Sequence, residues 1–301
     1  MATSTTEFDR WNTSMKTTWP LQVFNKYNAE LNKMLWANGA ASRKAYCTLR
    51  NDQARWTDTA SKHLDFRVAQ GTEVFSTLKE WSDSYNYFDL WVRLNALLAM
   101  SSNLETYIST TATLALESDP GVLFGSSRLF DGANILKNDG RKNIYHDDVI
   151  ESLTKGVWHK RMSSYKEIFG AVPVGFDYYI GALEKVRTIR NKVGHAFGRE
   201  ITASRNHEVK SINRMTSLSK VTLREYQNVI YHAVKSIDSH LLNSHIGEYQ
   251  KIFFFHQMQT QLAANMSVQA KAAQLKQELG KYGDASGKLF CQGLVQYYDA
   301  L

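Results

Sequence analysis

Cysteine is almost missing from this chain: Cys47 and Cys291 stand alone near opposite ends of 301 residues. Two such thiols exclude a disulfide framework and any zinc site built on paired thiolates, and point to a reducing compartment. Proline is as scarce, with three in all, so little in the sequence would interrupt a long helix. No apolar run approaches the ~20 residues that a membrane-spanning helix needs. The opening MATSTTEFDR lacks the basic-then-apolar order of a secretory leader. The expectation is a cytoplasmic protein that does not enter a membrane. Phosphate-cradling glycine loops, zinc-ligand spacings and internal repeats are missing too, so no cofactor and no metal is expected.

What is present is enough apolar sequence, 43% of the chain, for one large or two smaller cores. The formal charge is +7, and its location says more than its size. Between residues 186 and 220 stand Arg187, Arg190, Lys192, Arg199, Arg205, Lys210, Arg214 and Lys220, opposed only by Glu200 and Glu208. A strip of this kind attracts a phosphate backbone. Arg187, Lys192, Arg199, Arg205, Lys210 and Arg214 are therefore expected to contact RNA, with His207, close to the strip in sequence, as a further contact.

Within the strip lies VRTIRNKVGHAFGRE, residues 186 to 200, where Arg190, Asn191 and His195 bring together a guanidinium, an amide and an imidazole. The guanidinium stays charged and can fork two N–H bonds onto phosphate oxygens. Imidazole as a class exchanges a proton near neutrality. The trio thus suits chemistry on a phosphodiester. On an ideal helix Asn191 and His195 share a face one turn apart. Arg190 and His195 are about 140° and ~7.5 Å apart, so the arginine must wrap its side chain to work with the histidine. Gly194 and Gly198 suggest that the helix loosens here. A second copy across a two-fold axis would gather more such groups, which makes a homodimer the natural reading. The spacing alone is weak, because Arg141 and His146 repeat it. Context separates the two: an amide follows Arg190, and the apolar stripe Phe176, Tyr179, Leu183, Val186, Ile189 and Val193 leads in.

With Trp158, the run Tyr165 to Gly170, and Leu183 through Ile189 to His195, the sequence resembles the carboxy-terminal half of a HEPN domain. Leu97 to Ile108, with Asn103 to Tyr107 inside it, resembles that domain's long first helix. The resemblance covers roughly residues 85 to 247. It implies an all-α, HEPN-like helical bundle with additional N- and C-terminal helices, and a metal-independent endoribonuclease of the RiboL-PSP-like, toxin or abortive-infection type. It further implies a homodimer and an antitoxin or a partner within a defence complex. Arg190, Asn191 and His195 would be catalytic, with Glu105 pairing with Arg190 to aim it. The other reading kept open is a catalytically silent helical RNA-binding or scaffold protein.

Residues 1–84 form a Trp-rich N-terminal helical region, 85–247 the HEPN-like domain, and 248–301 a C-terminal helix and tail for dimer or partner contact. Phe24 to Leu35 and Trp56 to Trp81 predict a helical hairpin turning at Asn38-Gly39, its aromatics mostly core. Tyr87 to Glu117 predicts a long helix closed by Asp119-Pro120. Residues 119–147 read as a long loop. Ile150 to Ile168 predicts one helix capped by Asp147 or Asp148, and Leu223 to Leu241 another, opened by a capping box of Thr222 and Glu225. His232, His240 and His256 are expected to be structural or exposed rather than catalytic.

Overall fold

The computed structural model describes residues 7–66, 74–138, 146–196, 214–263 and 265–301. Among these the chain is all-helical, without a strand. The helices are α1 (Trp19–Asn51), α2 (Ala60–His63), α3 (Leu78–Ser118), α4 (Gly132–Asn138), α5 (Asp147–Thr154), α6 (Trp158–Phe169), α7 (Asp177–Ala196), α8 (Lys220–Leu241), α9 (Tyr249–Gln259), α10 (Val268–Lys281) and α11 (Lys288–Ala300). A 3₁₀ turn, Pro120–Phe124, and a π turn, Leu242–Ile246, complete them. Chain contacts divide the protein into one unit of Met1–Val23, Glu105–Ile180 and Tyr231–Leu301, and another of Phe24–Leu104 and Gly181–Ile230. The divisions fall inside α1, α3, α7 and α8.

Several expected boundaries move. Helix α1 runs unbroken through Asn38-Gly39, where a turn was expected. A mid-helix glycine costs only about 1 kcal/mol, and the Asn38 amide is held in place by a bond to Asp89 Oδ1 at 3.2 Å. The stripe Trp56 to Trp81 is not one helix: α2 ends after four residues, with Leu64 extended. Helix α3 is continuous across residue 85. Residues 119–138 hold a 3₁₀ turn and α4 rather than loop alone. The helix expected over 147–170 is split at Gly156, whose φ of 86° departs from the helix. Asp147 and Asp148 lie in the first turn of α5, where carboxylates favour the helix dipole. Helix α8 begins one residue after Ser219, whose hydroxyl accepts from Thr222 N at 2.9 Å; the cap sits three residues before the expected one.

In the first unit, Thr18 caps α1 by accepting from Leu21 N at 3.2 Å. Its hydroxyl also donates to the buried Asp238, as does Tyr107 Oη at 3.0 Å. The buried Arg10 donates to Ile246 O at 2.8 Å, to Ser118 Oγ at 2.8 Å and to Asp131 at 3.0 Å. Arg10 Nη2 also donates to Ser118 O at 3.1 Å, so one cation satisfies carbonyls at the ends of α3 and of the π turn. The C-terminal tail docks within its own unit. Leu294 and Val295 of α11 and Leu275 and Leu279 of α10 are all fully buried, and the Tyr298 ring meets Phe255 edge-on at 5.3 Å. The apolar set of α10 is therefore covered by the chain itself.

In the second unit, Leu49, Ala60 and Leu78 form a small core flanked by Tyr46, Leu64, Phe66, Phe75 and Trp81. Leu94, Leu97, Met100 and Leu104 of α3 and Leu183 and Val186 of α7 are likewise buried. The expectation that the N-terminal aromatics are mostly core fails for Trp36 and Trp56, which are 79% and 52% exposed.

Candidate functional site

Helix α7 carries the Arg-Asn…His trio. Its buried seam runs Leu183, Val186 and Val193, a three-and-four spacing in which the intervening place falls on Arg190. A guanidinium at a core-facing position needs polar partners. Asn191 supplies one: Arg190 Nη1 donates to Asn191 Oδ1 at 3.2 Å. The side chain therefore wraps from the seam toward the flank that holds Asn191 and, one turn on, His195. The helix does not loosen at Gly194; it continues through Ala196. His195 is exposed in the last turn, and its ring makes no hydrogen bond among the described residues.

Glu105 was expected to aim Arg190. Within its own unit, it accepts from Arg161 Nη2 at 3.5 Å. Arg161 is buried, donates through Nε to Gly156 O at 3.0 Å and lies over the Trp158 ring at 4.8 Å. Its burial was not legible in the sequence, since arginine as a residue type reads as surface although it lies one turn from the buried Trp158 and Tyr165.

Of the expected RNA contacts, Arg187 is engaged by its own helix: Nε and Nη2 both donate to Glu184 Oε1, at 2.9 and 2.5 Å. That bond raises the arginine's pKa further above its ordinary value and competes with a phosphate for the same donors. Lys192 is half-buried and Arg214 exposed. Arg199, Arg205, His207 and Lys210 lie outside the described residues.

Of the histidines expected to be structural or exposed, His232 is exposed and the other two are held by hydrogen bonds. His232 stacks on Tyr179 at 6.4 Å. His240 shares a 2.8 Å hydrogen bond with Tyr165 Oη, and burial lowers its pKa. His256 bonds Tyr298 Oη at 2.6 Å. His245 pairs with the buried Asp119 at 2.9 Å, a dyad the sequence did not reveal because 126 positions separate the two. Among the described residues no three His, Cys, Asp or Glu side chains stand together as a metal ion would require. No described helix is long and apolar enough to cross a membrane.

In its chemistry, the C-terminal part of α7 offers a cation tethered to Asn191 and, one turn beyond Asn191, an exposed imidazole. Comparison with family models, with curated proteins and with solved structures gave no match to this chain.

Proposed function

We propose that the protein is a metal-independent endoribonuclease that works as a homodimer, in antiviral defence or against a neutralising antitoxin. The observation that carries this reading is the Arg190–Asn191 hydrogen bond one turn before an exposed His195. RNA brings its own nucleophile. His195 takes the proton from a 2′-hydroxyl, the 2′-oxygen bonds to the adjacent phosphorus, and the bond from phosphorus to the 5′-oxygen breaks. The leaving oxygen gains a proton from water or from the imidazolium of the second copy. The products are a 2′,3′-cyclic phosphate and a 5′-hydroxyl. Arg190 holds the phosphoryl oxygens as charge grows on them, an effect worth ~3–4 kcal/mol per well-placed donor. Asn191 keeps the guanidinium on the His195 side of the helix.

The test compares the purified full chain with its Arg190→Ala and His195→Ala variants on total bacterial RNA, with fragment ends mapped and oligomeric state followed by light scattering. Fragments with 5′-hydroxyl ends are expected from the wild type alone, with all three proteins dimeric. Equal cleavage by either variant would remove the assignment.

A second reading, a helical RNA-binding module or scaffold without chemistry, is favoured by one observation: the His195 ring lacks an orienting partner among the described residues. Salt-dependent RNA binding with no product at high protein concentration would select it.

A further inference from the structure

Three helices of the second unit enclose a cleft of about 180 Å³. Helix α1 contributes Asn32, Trp36, Asn38 and Gly39, α3 contributes Asp89 and Arg93, and α8 contributes Lys220, Arg224 and Gln227. Three cations face one carboxylate. Arg93 Nη1 and Lys220 Nζ both pair with Asp89 Oδ2, the lysine at 3.4 Å. Arg93 also donates through Nε to Leu218 O at 2.7 Å. Asp89 and Arg93 are thereby fixed in the wall. Arg224 is exposed and makes no ion pair among the described residues, so the cleft keeps a net positive charge with an exposed guanidinium in its lining.

Three further features show what would neutralise it. Trp36 lines the cleft yet is 79% exposed, which leaves an indole face in water at a site that could have buried it. Gln227 Nε2 donates to Asn32 Oδ1 at 2.7 Å, and this pairing leaves Asn32 Nδ2 as a donor and Gln227 Oε1 as an acceptor. An acidic side chain could use only donors, whereas the edge of a nucleobase uses both kinds. Gly39 lines the cleft from within the continuous helix α1. Outside its own helix backbone, no atom lies within 4 Å of where its Cβ would be, so no neighbour requires the glycine and a larger side chain has room there.

We infer that this cleft binds one unpaired nucleotide, with the base stacked on Trp36, its edge read by the Asn32–Gln227 amide pair, and its phosphate held by Arg224 and Lys220. An aromatic face beside cations is how single strands are held with little sequence preference. A duplex cannot offer an unstacked base. The site is separate from the chemistry assigned to helix α7, and its occupancy can be measured whether or not the protein cleaves RNA.

The experiment uses the full chain carrying His195→Ala, so that no probe is consumed. Fluorescence anisotropy follows a labelled short oligouridine, its DNA counterpart and an RNA duplex; calorimetry follows AMP and UMP; a labelled polyglutamate peptide serves as the anionic protein probe. Trp36→Ala and Arg224→Gln change exposed side chains, and Gly39→Leu fills the cleft with a residue that helices favour. The expected result is binding of the single strand over the duplex, weakened about tenfold by Trp36→Ala and by Gly39→Leu. Arg224→Gln is expected to lower the salt slope by about 0.7. Binding of AMP or UMP without the strand would support the same site and assign it to a free nucleotide. The proposal is overturned if neither nucleotide nor strand binds, if the three variants bind as the parent does, or if polyglutamate binds equally well and loses affinity in the same variants.

Discussion

The Arg190 guanidinium donates through Nη1 to the Asn191 side-chain oxygen at 3.2 Å, one residue along the same helix. Neighbouring residues point about 100° apart around an α-helix, so this bond forms only because the long arginine side chain folds back across the helix surface. The amide acts as a tether. It draws a cation rooted in the buried seam toward the flank where His195 stands.

Removal of the tether should reduce turnover more than binding. Asn191→Ala is expected to lower kcat on a labelled RNA by about 10²-fold with KM little changed, as misplacement of a reacting group does. Asn191→Asp keeps an acceptor for Arg190 and should recover part of the loss. Steady-state kinetics of the two variants decide this, and wild-type kcat in Asn191→Ala would falsify the positioning role.

The packing of α11 on α10 should carry much of the first unit's stability. Leu294 is fully buried, so Leu294→Ala is expected to cost about 2–5 kcal/mol. A urea titration followed by circular dichroism would read this as an earlier midpoint. An unchanged midpoint would mean that the tail does not dock there in solution.

Helix α4 begins where backbone crowds backbone. A Cβ on Gly132 would lie 1.7 Å from Glu117 O, and a main-chain carbonyl cannot swing aside as a side chain can. Gly132→Ala should therefore lower the melting temperature by well over the roughly 2 °C that 1 kcal/mol gives a chain of this size. Gly39→Ala, in open space, should not lower it. A Gly132→Ala protein as stable as the wild type would show that the approach is looser than described.

Asp119 is expected to contribute to the acid limit of stability. Burial raises its pKa, but hydrogen bonds from His245, Ser127 and the Arg128 amide outweigh this and hold it below the ordinary 3.8. A carboxylate with a depressed folded pKa contributes stability at pH above 3.8 that is lost as the pH falls through the folded value. Unfolding free energy should thus drop at the acid end, and Asp119→Asn should flatten that part of the profile while costing about 3–5 kcal/mol near neutrality by breaking a buried pair. An equally steep acid limb in the variant would assign it to other groups.

The sequence by itself determined the helical class and several faces. Few prolines and periodic apolar residues read as helices, and Leu223, Ile230, Val234, Ile237 and Leu241 are buried as their spacing implies. It also displayed the Arg-Asn…His trio behind an apolar stripe, since neighbours on one helix are neighbours in sequence. It misplaced breaks and caps, because a glycine or a capping residue has only a small local preference that packing overrides. Periodicity names a helix face but not what lies opposite it. Trp36 falls among N-terminal aromatics expected to be mostly core, yet it stands 79% exposed at the edge of the cleft between α1, α3 and α8. Asp89 and Arg93 are visible as a helical pair, yet their third partner, Lys220, arrives from another helix, as His245 does for Asp119. Those long-range pairings were decided by tertiary structure, because the cost of burying a charge is met only by groups that folding brings within hydrogen-bond reach.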